Sequence, residues 1–213
     1  MNYSSLYVER SPNAEYTDAG ALIYVFRKDG GCPVPAEEIA LRTGQILYKV
    51  SFSLSETLRY PTPFMDLVRL WKKIMREEAD SRKSAMIGSG TGASLILSLS
   101  QWCRDHGIPL PSSLVLDSAV YGTDTTDSDI KEYLSTADAD DPYAYPLLGD
   151  YFLFPPISLH DSDGRMMLLR NRMRKSGVTC RYSRNSVLLF SAGQDTEDEY
   201  ISSVSAFIRQ NMS

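Results

Sequence analysis

The segment Met86–Ser94, MIGSGTGAS, concentrates most of the chemistry this sequence offers. A short apolar run meets Gly88, Gly90 and Gly92, and a helical pattern begins at Ala93. A strand that enters a glycine turn and leaves as a helix sets backbone N–H groups at a helix N-terminus, where they hold an anion or a developing oxyanion. Ser89 and Thr91 flank Gly90 with hydroxyls. Elsewhere, residues that move protons at neutral pH are scarce. The chain has two histidines, His106 and His160, and three scattered cysteines, Cys32, Cys103 and Cys180. That odd cysteine set gives neither a disulfide framework nor a zinc site, and it fits a reducing compartment. The aspartates of Ala137–Pro142 (ADADDP), with Asp124, Asp127 and Asp129 upstream, lack the D-x-D-x-D-G spacing and closing Glu of a calcium loop, and read as a solvated acidic stretch.

The elements that would position these residues alternate between strand and helix. Ala21–Phe26 (ALIYVF) is an apolar run of strand length, closed by Lys28-Asp29-Gly30-Gly31. Pro35–Thr43 has helical spacing and Gly44 as its stop, and Ile46–Leu54 alternates like a strand. Pro63–Glu78 predicts a helix, with Leu67, Leu70, Trp71 and Ile74 on one face. Further strands are expected at Ala85–Ile87, Ser113–Leu116, Ile157–His160, Val178–Ser183 and Val187–Phe190. Helices are expected at Ala93–Asp105, Ile130–Leu134, Met166–Lys175 and Glu197–Gln210. Helices between buried strands predict crossovers, hence an α/β three-layer sandwich with a mostly parallel sheet in one domain over residues 1–213.

Composition excludes several classes. Of 213 residues, 43% are hydrophobic and 23% charged, the balance of a globular protein with a sizeable core. Twenty-two Lys and Arg against 27 Asp and Glu give a net charge of −5, and no basic block stands out, so nucleic acid is not an expected partner. No apolar run is long enough for a membrane span, and the first residues, MNYSSLYVE, lack the pattern of a secretion signal. A cytoplasmic protein is the expectation.

The glycine turn admits three readings. As G-x-G-x-x-A (Gly88, Gly90, Ala93) it matches a dinucleotide fingerprint, which belongs to a first βαβ unit. As GSGTG it resembles the first motif of S-adenosylmethionine-dependent methyltransferases, although Met86 stands where that family places an acid. The third reading draws on the rest of the chain, which resembles the hormone-sensitive-lipase-like (acetyl-esterase-like) branch of the α/β-hydrolases. The family's HGGG strand end is similar to Lys28-Asp29-Gly30-Gly31. Its DYRLAPE and FPAALED segments are similar to Ser51–Thr57 (SFSLSET) and Tyr60–Asp66 (YPTPFMD). Its GDSAGG elbow resembles GSGTGA, here without the serine. Its G-x-P-x-P loop and LVLLSP strand resemble Gly107–Pro111 and Leu114–Ser118. Its DP-x-x-SPL, PP and LRAAGV segments resemble Asp141–Leu147, Pro155–Ile157 and Met173–Val178.

That resemblance implies a reduced α/β-hydrolase fold, with the cap largely missing and the first strands shortened or lost. It also implies where catalytic groups would sit. The nucleophile position falls on Gly90, with Ser89 one place early and Thr91 one place late; the histidine position falls nearest Leu188. Asp161 or Asp163 stands at the acid position, and without a histidine partner either is expected to be a solvated loop carboxylate or a helix N-cap. The oxyanion loop keeps Gly30 and Gly31, with Lys28 and Asp29 in place of the first His and Gly. His160 is expected at a loop edge, and His106 at the far end of the elbow helix. The sequence alone therefore predicts a catalytically inactive hydrolase-like protein with no cofactor or metal. It would bind a protein partner or a small ligand over the old site, and a homo-oligomer is compatible with this. The alternatives are an active serine esterase with a non-standard nucleophile, Ser89 first, or a methyltransferase using GSGTG. The aromatic stretch Tyr143–Phe154 and the basic helix Arg165–Lys175 are the candidate partner surfaces.

Overall fold

The computed structural model describes residues 3–11, 20–28, 34–53, 58–119, 128–186 and 194–213. Seven strands form one sheet: β1 (Leu6–Arg10), β2 (Ala21–Arg27), β3 (Ile46–Phe52), β4 (Ala85–Ser89), β5 (Ser113–Asp117), β6 (Ile157–His160) and β7 (Cys180–Ser183). Their order is β1-β3-β2-β4-β5-β6-β7, parallel throughout except for β1, which pairs antiparallel with β3 at the edge. The helices are α1 (Ala36–Thr43), α2 (Thr62–Glu77), α3 (Thr91–Asp105), α4 (Ser128–Tyr133), α5 (Met167–Lys175) and α6 (Gln194–Asn211). Every element expected from periodicity within the described residues is present, and the ends shift by a few residues. The expected strand Val187–Phe190 lies outside the described residues.

Side chains alternate across the sheet and sort the helices into two layers. Leu22 and Tyr24 of β2, Leu47 of β3, Ala85 and Ile87 of β4 and Val115 of β5 pack with α1 and α6. Ile23, Val25, Tyr48, Val50, Met86, Leu114, Leu116, Ile157 and Leu159 face the other way, in the cluster that holds α2, α3 and α5. The central strands are buried on both faces, which is why they read as continuous apolar runs. This is a three-layer α/β sandwich, a reduced α/β-hydrolase architecture.

An edge strand that the sequence did not disclose, β1, is in place beside β3. Leu6 is its one buried side chain, and the two charges of LYVER hide it from any periodicity. It is anchored instead by a polar contact. The Asp66 carboxylate of α2, 1% exposed, accepts from the Ser5 backbone N–H (3.0 Å), the Ser5 and Ser4 hydroxyls (2.8 and 3.1 Å) and Arg69 Nη1 (2.8 Å).

Chain direction sets the crevice. From β2 the chain crosses through α1 to β3 on one side, then returns through α2 to β4 on the other side of β2. The C-terminal ends of β2 and β4 therefore flank the topological switch point, where open α/β sheets bind ligands.

Candidate active site

At that point β4 ends on Ser89, Gly90 makes the turn, and α3 starts at Thr91. Gly90 has φ 55° and ψ −124°, a conformation costly to any residue with a side chain. Its N–H donates to the Asp117 carbonyl at 2.9 Å, and its own carbonyl accepts from Ala93 N–H at 3.1 Å. A Cβ built on Gly90 meets nothing within 4 Å, so the apex opens onto space. The turn is a strand-to-helix elbow with glycine at the tip.

The neighbouring glycines have another task. A Cβ on Gly92 would lie 2.2 Å from the Val25 carbonyl oxygen, and one on Gly88 would lie 2.5 Å from Ala93 Cα. Both let α3 press against β2 and β4. The dinucleotide and methyltransferase readings rest on the same residues and are corrected here. The turn follows the fourth strand in chain order, at the centre of a hydrolase-type sheet, and its outer glycines serve helix–sheet packing.

Around the apex lie several hydroxyls. Ser89 is half-buried, with Oγ 3.3 Å from the Tyr24 hydroxyl, which also accepts from Val34 N–H at 3.0 Å. Burial holds the Tyr24 phenol above its usual range, so it stays protonated at neutral pH. Thr91 is buried in the first turn of α3. Lys28 follows β2 as an exposed turn residue, whereas Asp29, Gly30, Gly31 and Leu188 lie outside the described residues. Cys103 and Cys180 offer no ready thiolate, because burial pushes the first up to about 12 and the second to about 11. Cys32 lies outside the described residues.

A second polar group sits beside the elbow on β5. Asp117 pairs with Ser89 in the β4–β5 register, on the sheet face that carries Tyr24, and it is fully buried. Its Oδ1 accepts from Ser118 Oγ at 2.9 Å and from Ser186 Oγ at 2.7 Å, and burial together with the nearby Asp117 charge holds the Tyr200 phenol of α6 well above its usual range. Sequence reasoning missed this group. The signal available was the position of Asp117 at the C-terminal end of the strand after the elbow helix.

The expectation of a loop-edge His160 is also corrected. His160 is 1% exposed at the end of β6, with Nε2 2.9 Å from Ser158 Oγ and Nδ1 2.8 Å from the Asn185 carbonyl, beside the Tyr200 ring at 4.8 Å. A two-residue period puts Ser158 and His160 together on the α6 face. Desolvation holds the imidazole below its usual 6.5, against the opposing pull of the Asn185 carbonyl and Asp117. The folded chain thus takes up this proton less readily than the unfolded chain. Stability is expected to be full above about pH 6.5 and to fall below it, by up to ~1.4 kcal/mol per pH unit while only the unfolded state protonates. Urea titrations between about pH 7 and pH 5 should show this slope, and His160→Gln should flatten it. A flat wild-type profile would contradict the buried neutral imidazole.

The two acid-loop candidates separate. Asp161 is 2% exposed, so it is not a solvated carboxylate; it accepts from Met166 N–H at 2.8 Å and Asp163 N–H at 3.2 Å, shaping the turn into α5. Asp163 is exposed and pairs with Arg165 at 2.6 Å. His106 caps the far end of α3, stacked on Trp102 at 4.0 Å and away from the elbow. In the acidic stretch, Asp141 accepts from the Tyr60 hydroxyl at 2.5 Å and from Tyr143 N–H at 2.8 Å, joining two of the segments that carried the resemblance. No group of three potential metal-binding side chains occurs among the described residues.

A mostly parallel sheet, a switch-point crevice and a strand–glycine–helix elbow on a central strand together define an α/β-hydrolase. Comparison with known proteins agrees: the model of a family described as having the alpha/beta hydrolase fold matches residues 34–184, and the chain belongs to that family. Among solved structures it is similar to an esterase/lipase from an uncultured bacterium, at 17% identity and TM-score 0.78 over 98% of this chain and 86% of that one. It is also similar to an esterase from the bacterial hormone-sensitive lipase family, at 17% identity and TM-score 0.77 over 99% and 86%. A hyperthermophilic esterase from the archaeon Pyrobaculum calidifontis is similar at 18% identity and TM-score 0.80, over 96% and 81%. No curated protein matches the chain. The expectation of a catalytically inactive protein is corrected by these findings, since the family is one of hydrolases and the similar structures are those of esterases and lipases. No helix among the described residues is long and apolar enough to cross a membrane.

Proposed function

We propose that the protein is an esterase-like hydrolase that cleaves carboxylic esters in the crevice above Gly90, with a hydroxyl other than an apex serine as nucleophile. The observation that carries this reading is the elbow, with the left-handed apex at Gly90 joining β4 to α3 at the switch point. Open space over the apex gives an acyl group room to approach. The first turn of α3 begins at the elbow, and the unpaired backbone N–H groups of a helix start are donors of the kind that stabilise an ester oxygen as it gains negative charge. Each such donor is worth about 10²–10³ in rate when aimed at the oxyanion. Membership of the hydrolase family supports the same chemistry.

The test is covalent labelling. Incubation with a fluorophosphonate should give one adduct per chain, on a serine, and prior exposure to a slowly hydrolysed ester should protect against it. A chain that stays unlabelled at high probe concentration would overturn the proposal, because an activated hydroxyl beside oxyanion donors reacts with such probes.

A further inference from the structure

We propose that Ser118 is the nucleophile of this site and Asp117 its general base, an assignment that rests on the esterase-like reading above. Ser118 follows β5 with φ 49°, one of two residues other than glycine with positive φ among the described residues. Such strain persists where the surroundings over-determine it, and it gathers at functional sites. Here the fixings are visible. The Ser118 N–H donates to the His160 carbonyl at 2.8 Å, and its Oγ lies 2.9 Å from Asp117 Oδ1 and 3.0 Å from Ser186 Oγ. That carboxylate contact lies within the reach required of a base toward the proton it abstracts.

Placement favours this pair over the residues flanking the apex. Asp117 is fully buried, whereas Ser118 is half-buried. The Asp117 carbonyl accepts the Gly90 N–H, so Ser118 is the next residue along from the elbow's own hydrogen-bond partner. Ser89, by contrast, faces a phenol that burial keeps protonated and so unable to act as base. The second hydroxyl on Asp117 Oδ1, from Ser186 at 2.7 Å, makes Ser186 a positioning residue that holds the carboxylate in place.

The reaction balances with water alone. As Ser118 Oγ bonds to the acyl carbon, its proton passes to Asp117 and the carbonyl π pair moves onto oxygen. Collapse expels the alkoxide, which leaves as the alcohol with the proton from Asp117. Water then adds to the acyl-serine and gives a proton to Asp117. Collapse breaks the bond to Ser118 Oγ, which recovers its proton, and the carboxylic acid departs.

Peptide mapping of the fluorophosphonate adduct on the full chain should place it on Ser118. Ser118→Ala should lower turnover of p-nitrophenyl acetate at least about 100-fold, the scale expected for loss of a nucleophile. Ser118→Cys should trap an acyl-thioester visible by intact mass, a readout that loss of structure alone would not produce. Asp117→Asn should slow acylation and remove the carboxylate limb from the pH–rate profile. An adduct on Ser89 or Thr91 in a protein that does turn over ester would overturn this assignment and leave the hydrolase reading standing. A wild-type chain with neither adduct nor turnover would overturn both.

Discussion

Gly92→Ala is expected to unfold the protein or to lower its stability by at least ~3 kcal/mol, the upper range for overpacking a core. The added methyl would lie 2.2 Å from the Val25 carbonyl oxygen, 2.7 Å from its carbon and 3.1 Å from Phe26 Cα, all of them backbone of the central strand β2. No rotamer change relieves such a contact; α3 must move off the sheet. Gly44→Ala is the matched control. Gly44 closes α1 at φ 69° with nothing within 4 Å of a built Cβ, so that change meets only the left-handed backbone penalty, about 1 kcal/mol. Urea midpoints of the two variants compare steric with conformational cost. A Gly92→Ala midpoint equal to wild type would show that α3 does not press on β2 as described, and would reopen the nucleotide-binding readings of the glycine turn.

Asp66→Ala should cost ~2–4 kcal/mol and release the N-terminal edge of the sheet. Burial works against the Asp66 carboxylate, but the bonds from Ser5, Ser4 and Arg69 outweigh it and hold its pKa below the usual 3.8. Deleting the carboxylate leaves the Ser5 N–H without its acceptor in a buried place, and also removes the tie that directs β1 to its antiparallel partner β3. Amide exchange should therefore accelerate over Leu6–Arg10 more than over the central strands. Unchanged protection of β1 would mean that Leu6 and the β1–β3 ladder anchor the edge without Asp66.

What the sequence disclosed and concealed follows from how each feature is specified. The buried parallel strands β2, β4 and β5 are short apolar runs next to turn residues, and the amphipathic α2 repeats at helical spacing, so both kinds of element were legible. β1 was not, because a half-exposed edge strand with two charges in five residues carries almost no apolar signal. The elbow was legible as a glycine cluster but ambiguous in meaning. Anion binding and close helix–strand packing call for the same glycines, and only the distance from Gly92 to Val25 separates them. The polar group under β5 and β6 was hidden for a different reason. Tyr24, Asp117, His160 and Tyr200 are far apart in sequence, and they meet only because strand register and α6 place them on one face. His160 read as a loop residue because four residues of β6 are too few to reveal which face their last member takes. Leu188, the residue nearest the family's histidine position, and the glycines of the oxyanion loop lie outside the described residues, so their expected roles carry no structural account.

Steady-state turnover of p-nitrophenyl acetate by the full chain, measured before and after stoichiometric fluorophosphonate treatment, decides whether esters are hydrolysed above Gly90. Saturable hydrolysis well above the spontaneous rate is expected, abolished in proportion to serine labelling. Hydrolysis no faster than buffer, or a rate untouched by complete labelling, would contradict the proposed function.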